Sequence, residues 1–128
     1  KDAAGRMQVR ALSAMIGCDI HPLNNRRVLQ YLRNELSVEA EVIKWCNRWI
    51  SEGFAALEKR LAQDKARGKF CYGDSPTFAD CYLIPQVSSA RRFKVDLNAY
   101  PNIAEIDAHC RTLKAFSDAD PMAQPDAT

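Results

Sequence analysis

Gly73-Asp74-Ser75-Pro76-Thr77-Phe78-Ala79-Asp80 is the stretch on which the fold turns. Thr77 at a helix N-cap accepts from the amide of Asp80, and the Asp80 carboxylate reaches back to the amide of Thr77. This is a capping box with Asp in place of the usual Glu. The helix it opens carries Phe78, Tyr82, Leu83, Val87 and Ala90 at inward spacing, with a kink expected at Pro85. That face is apolar enough to predict a helix at the centre of a bundle.

Upstream, Lys65 to Gly73 is charged and ends in glycine, so it reads as a loop. Before it, the spacing predicts the longest helix, from about Val38 to Gln63, capped by Ser37. Its apolar stripe is Val42, Trp45, Trp49, Phe54, Leu57 and Leu61. Val9, Leu12, Ile16 and Ile20 predict a first helix that ends near His21, because Pro22 disfavours helical geometry in its predecessor. A second helix carries Val28, Leu32 and Leu36 on one face, with Asn24 at its cap. Tyr31 and the two Trp fit helical core spacing and read as packing.

Downstream, Pro101 suits a first helical turn. Ile103, Ile106, Cys110 and Leu113 give that helix its apolar side, and His109 beside them reads as structural. No alternating strand pattern and no internal repeat competes. The fold class is therefore all-α, with residues 1–116 as one helical domain. Residues 117–128, with Pro121 and Pro125, form an irregular tail.

The 128 residues suit a single core, and a net charge of +2 gives no reason to expect nucleic acid or membrane as partner. No apolar run reaches transmembrane length. Five scattered cysteines argue against a disulfide framework and for a reducing, cytoplasmic compartment. Cys18 and His21 stand three apart without a second ligand pair, so no metal site is expected. The chain opens Lys1-Asp2-Ala3 directly in a helical pattern, which reads as a fragment, a processed product or an excised domain.

The chemistry concentrates in Cys18-Asp19-Ile20-His21-Pro22-Leu23-Asn24-Asn25-Arg26-Arg27. A helix that breaks at Pro22 and restarts exposes unpaired amides, which favour an anion. Arg26 or Arg27 can grip a carboxylate through two parallel hydrogen bonds. A solvated Arg pair and a structural His are the plainer alternative. Arg91-Arg92 closes the central helix, where positive charge complements the helix dipole. A second carboxylate clamp is the functional alternative there.

These strings resemble the C-terminal domain of zeta-class glutathione transferases. The likeness runs through Cys18 to Asn25, Gly73 to Asp80, Pro85-Gln86-Val87, Ala90-Arg91-Arg92-Phe93 and Gln124-Pro125-Asp126. The resemblance implies a helical bundle of the transferase C-terminal type, with about five to six helices. It implies a homodimer with glutathione as cofactor, isomerising a maleyl dicarboxylate (maleylpyruvate or maleylacetoacetate) in aromatic compound degradation. His21, Asn25, Arg26 and Arg27 would border glutathione, and Arg27 and Arg92 would bind substrate carboxylates as catalytic residues. The doubled Arg26-Arg27 looks closer to maleylpyruvate isomerase. The thioredoxin-like domain that activates glutathione in that family has no counterpart in these residues, so the isolated domain is expected to be inactive. Conjugation or dehalogenation of small electrophilic acids, or a non-catalytic dimerisation module, are the competing expectations.

Overall fold

Six α-helices form in the computed structural model, which describes residues 2–127. They are α1 (Ala3–Ala14), α2 (Arg26–Asn34), α3 (Val42–Gln63), α4 (Phe78–Arg92), α5 (Pro101–Arg111) and α6 (Lys114–Asp118). No described residue lies in a strand, and the loop after α3 is pinned by one isolated bridge, Arg67 to Gly73. The all-helical expectation holds.

The capping box forms as the sequence predicts. The Asp80 carboxylate accepts from the Thr77 amide and the Thr77 hydroxyl, both at 2.7 Å. Its other oxygen accepts from the Cys71 amide at 2.8 Å, so one buried carboxylate fixes both the start of α4 and the loop before it. From there Ala79, Leu83, Val87 and Ala90 run inward against α1, α3 and α5.

Phe78 and Tyr82 do not point inward as expected: they are 61% and 38% exposed. The centre of the buried face lies one residue further on, and one residue turns a helix by about 100°. The same offset moves the stripe of α3, whose buried residues are Val42, Cys46, Ile50, Phe54, Leu57 and Leu61. Trp45 and Trp49 are half-buried at its border, packed edge to face at 5.7 Å. There the Trp45 indole donates to the Leu23 carbonyl at 2.7 Å, a bond that suits an aromatic ring with a polar edge at a boundary. Ser37 does not cap α3. Its φ of 55° is left-handed, and a 3₁₀ turn at Glu39–Glu41 leads into the helix.

The first helix does not stop at Pro22. It widens into a π-helical segment, Met15–Ile20, then tightens into a 3₁₀ turn, His21–Asn24. Two glycines let this bent segment be gripped closely. A Cβ on Gly17 would fall 2.6 Å from the Tyr82 ring, and one on Gly53 of α3 would fall 2.3 Å from Ile20. Asn25, not Asn24, caps α2, its side chain accepting from the Arg27 amide at 3.0 Å. Asn24 is instead buried, donating to the Ile20 carbonyl at 3.2 Å. Leu29 and Leu32 are the buried residues of α2, while Tyr31 and Leu36 are 56% and 51% exposed because α2 ends early and its outer side is uncovered.

Pro101 opens α5 as expected, and Ile103, Ile106 and Cys110 are buried. His109 packs edge to face on Phe70 at 4.9 Å, as a structural histidine would. Asp107, almost fully buried, pairs with Arg91 of α4 and with Arg111, whose Nε lies 3.1 Å from its carboxylate. Beyond Ser117 the chain is less irregular than the prolines suggested. Helix α6 runs into it, and a 3₁₀ turn at Pro121–Ala123 is braced by Gln124 donating to the Asp118 carbonyl at 2.8 Å.

Cys46, Cys71 and Cys110 are buried, whereas Cys18 and Cys81 are exposed. Burial pushes the Cys46 thiol up to about 11 and Cys110 up to about 12, and it raises Cys71 strongly as well. In native protein at pH 8, iodoacetamide should therefore spare these three thiols, and denaturant should expose them, as read by peptide mass spectrometry. Their folded pKa lies above the ordinary 9.0, so the stabilisation they carry is complete below pH 9 and is lost as pH rises through 11 and 12.

Candidate functional site

A groove of about 320 Å³ opens where the bent end of the first helix meets α4. Ile16, Gly17 and His21 form one wall, and Cys81, Tyr82, Pro85, Gln86 and Ser89 form the other. Both walls are places where helical bonding is irregular. The π-helical segment closes with the His21 amide bonded to the Ile16 carbonyl, a wider ring than the α-helical one. Opposite, Pro85 has no N–H to offer the Cys81 carbonyl.

The expected site residues are distributed unequally around this groove. His21 lines it, exposed at the rim, with its Nε2 3.4 Å from Asn25 Nδ2. Asn25 is held by its capping bond to the Arg27 amide. Arg26 and Arg27 stand exposed in the first turn of α2, outside the groove lining, and neither belongs to an ion pair among the described residues.

Arg91 and Arg92 part company. Arg91 reaches over to Asp107 and is engaged. Arg92 has no carboxylate partner among the described residues and lies over the Phe93 ring, 5.8 Å from its centroid. Tyr82, Pro85, Ser89 and Arg92 recur three or four apart, so Arg92 continues the groove-lining side of α4 one turn past Ser89. Its charge, with that of Arg33, partly offsets the burial effect on the Cys46 thiol, which sets it near α3. Arg27 stands in the first turn of α2 and Arg92 closes α4, and no hydrogen-bonded or ionic bridge among the described residues links the two.

Residues 50–109 match the family of glutathione S-transferase C-terminal domains. Over 127 residues the chain is 58% identical to a maleylpyruvate isomerase of Ralstonia sp, covering 98% of this chain and 60% of the relative. The solved holo structure of a maleyl pyruvate isomerase, described as a bacterial glutathione S-transferase of zeta class, superposes with a TM-score of 0.97 at 56% identity. That match covers 100% of this chain and 61% of the other.

The chain belongs to the zeta-class glutathione transferase family, as a C-terminal helical domain.

A maleylacetoacetate isomerase from Anaeromyxobacter dehalogenans, with bound dicarboxyethyl glutathione and citrate in its active site, superposes on this zeta-class domain with a TM-score of 0.92 at 41% identity. There 99% of this chain and 56% of the other are covered. The domain thus spans about 60% of the length of these relatives. Gln86, Ser89 and Gly17 were not singled out from sequence as site residues. Two signals mark the α4 wall: a proline inside an otherwise unbroken helix, and a polar residue directly after it on a helix otherwise rich in core residues; Gly17 carried no such signal.

Proposed function

We propose that this chain forms the substrate-side helical half of a glutathione-dependent cis–trans isomerase acting on a maleyl dicarboxylate, maleylpyruvate or maleylacetoacetate. The observation that carries the proposal is the groove itself. It joins His21 at its rim to a polar wall on α4, with the guanidinium of Arg92, which has no carboxylate partner among the described residues, one turn further along the same side. The relatives named above, several of them isomerases of maleyl acids, support it.

The residues fit a bound peptide thiol, since the groove holds a buried amide donor without a partner, Gln86 Nε2, beside an exposed imidazole and a hydroxyl. His21, Asn25, Arg26 and Arg27 would border glutathione. When bound, glutathione supplies the thiolate that lowers the order of the cis double bond and so permits rotation. Arg27 and Arg92 would hold the carboxylates of the acid and offset the negative charge that develops next to them, which is electrostatic catalysis. A thioredoxin-like domain would cover the groove from the open side, exclude water and activate the thiol. A homodimer in the cytoplasm belongs to the same proposal, and the exposed free thiols Cys18 and Cys81 accord with a reducing compartment.

Ultraviolet absorbance of maleylpyruvate and of maleylacetoacetate, each incubated with full-length protein with and without glutathione, tests it. Glutathione-dependent conversion to the trans acid is expected, faster for maleylpyruvate. Conversion of neither would overturn the proposal.

A further inference from the structure

Gln86 is the one buried polar side chain among the residues lining the groove, 3% exposed, and its Nε2 has no hydrogen-bond partner among the described residues. A carboxamide has two N–H donors, and leaving them unpaired away from water costs stability. Such orphans are rare in native proteins, and each calls for a reason. An apolar side chain of similar length would pack at this position without that cost.

No described neighbour bonds to the amide nitrogen. Pro85 precedes it, Ile16 and Gly17 face it across the groove, and Val87 and Ile84 beside it are buried hydrocarbon. On the same wall the Cys81 carbonyl lacks the helical N–H that a residue other than Pro85 would supply. Ser89, one turn along, is half-buried. Gln86 thus lines the groove while carrying a buried donor that no described residue satisfies, and what satisfies it must arrive from outside and bring an oxygen acceptor.

We infer that Gln86 is a specificity-determining residue whose carboxamide donates to a carboxylate or keto oxygen of the acid bound in the groove; this rests on the isomerase proposal above. A neutral donor in this position adds no charge to a site already flanked by arginine. It discriminates instead by geometry. A site built to bond an oxygen rejects an analogue lacking it, because the buried donor is then left unpaired.

The test uses full-length protein carrying Gln86→Met, which keeps length and removes both polar atoms, and Gln86→Asn, which keeps the amide but draws it back by one methylene. Three quantities are read: steady-state kinetics, the Kd for maleate by calorimetry, and Tm without ligand. Gln86→Met is expected to hold or raise Tm, to raise KM roughly ten-fold with kcat changed less than about two-fold, and to weaken maleate binding to a similar degree. Gln86→Asn should show the same KM effect at near-native Tm, so the inference survives a Met variant that fails to fold. KM and maleate Kd within about two-fold of wild type in either folded variant would overturn it, whatever Tm does. Should the wild type prove to have no isomerase activity, the maleate Kd alone decides. Binding lost in both variants then supports Gln86 as an acid-binding donor while the isomerase proposal falls, and a wild type that binds no maleate refutes both.

Discussion

In full-length protein, Arg92→Ala is expected to lower kcat/KM for the maleyl acid by about 100-fold or more while leaving Tm within about 2 °C of wild type. The two halves of that outcome come from different features of the structure. Arg92 is exposed at the end of α4, pairs with no carboxylate among the described residues and lies over the Phe93 ring, so its removal orphans no polar group in the fold. A guanidinium without a partner beside a groove is free to grip a carboxylate through two bonds, and a charged hydrogen bond at a desolvated site is worth more than a neutral one. Arg92→Lys keeps the charge but not the planar fork, so it should recover only part of the loss. Arg91→Ala is the control. It leaves the buried Asp107 with Arg111 alone, and its effect should appear in Tm first. Steady-state kinetics with calorimetric Tm separates the two. An Arg92→Ala enzyme with native kcat/KM would remove this side chain from the site.

Asp80→Ala is expected to be the most damaging substitution for folding, at about 3–4 kcal/mol. The carboxylate is fully buried and accepts from Thr77 N, Thr77 Oγ1 and Cys71 N. Truncation leaves three donors without an acceptor, one of them in a buried loop that water cannot easily reach, and opens a void beside them. A loss of this size should lower Tm by on the order of 10 °C, measured by circular dichroism or calorimetry. Asp80→Asn keeps one acceptor oxygen and should cost less. A Tm drop below about 2 °C for the alanine variant would mean the loop and α4 are held by something other than this residue. The consequence reaches the groove, because α4 carries the whole wall from Cys81 to Ser89.

Much of the fold was legible from residue order. The capping box at Thr77 and Asp80, the proline-opened start of α5 and the long α3 all rest on interactions within four or five residues, which a local reading captures. Helix faces were less legible by one residue. Trp45, Trp49, Phe78 and Tyr82 are large enough to read as core, but burial went to Cys46, Ile50 and Ala79, whose smaller side chains allow closer helix packing. In the candidate site, His21 was legible because Pro22 beside it disturbs regular helical bonding, and the segment passes there into a 3₁₀ turn. The groove's other wall lies 60 or more positions further along the chain and was not.

The sequence by itself determined that this chain is helical and where its central helix begins. Those properties follow from periodicity, capping chemistry and residue identity, which neighbours along the chain settle. Tertiary structure alone decided which of two adjacent arginines is engaged by Asp107 and which stays available, and that Gln86 is buried without a partner. Pairing and burial depend on residues distant in the chain that folding brings together, and no local pattern encodes their approach.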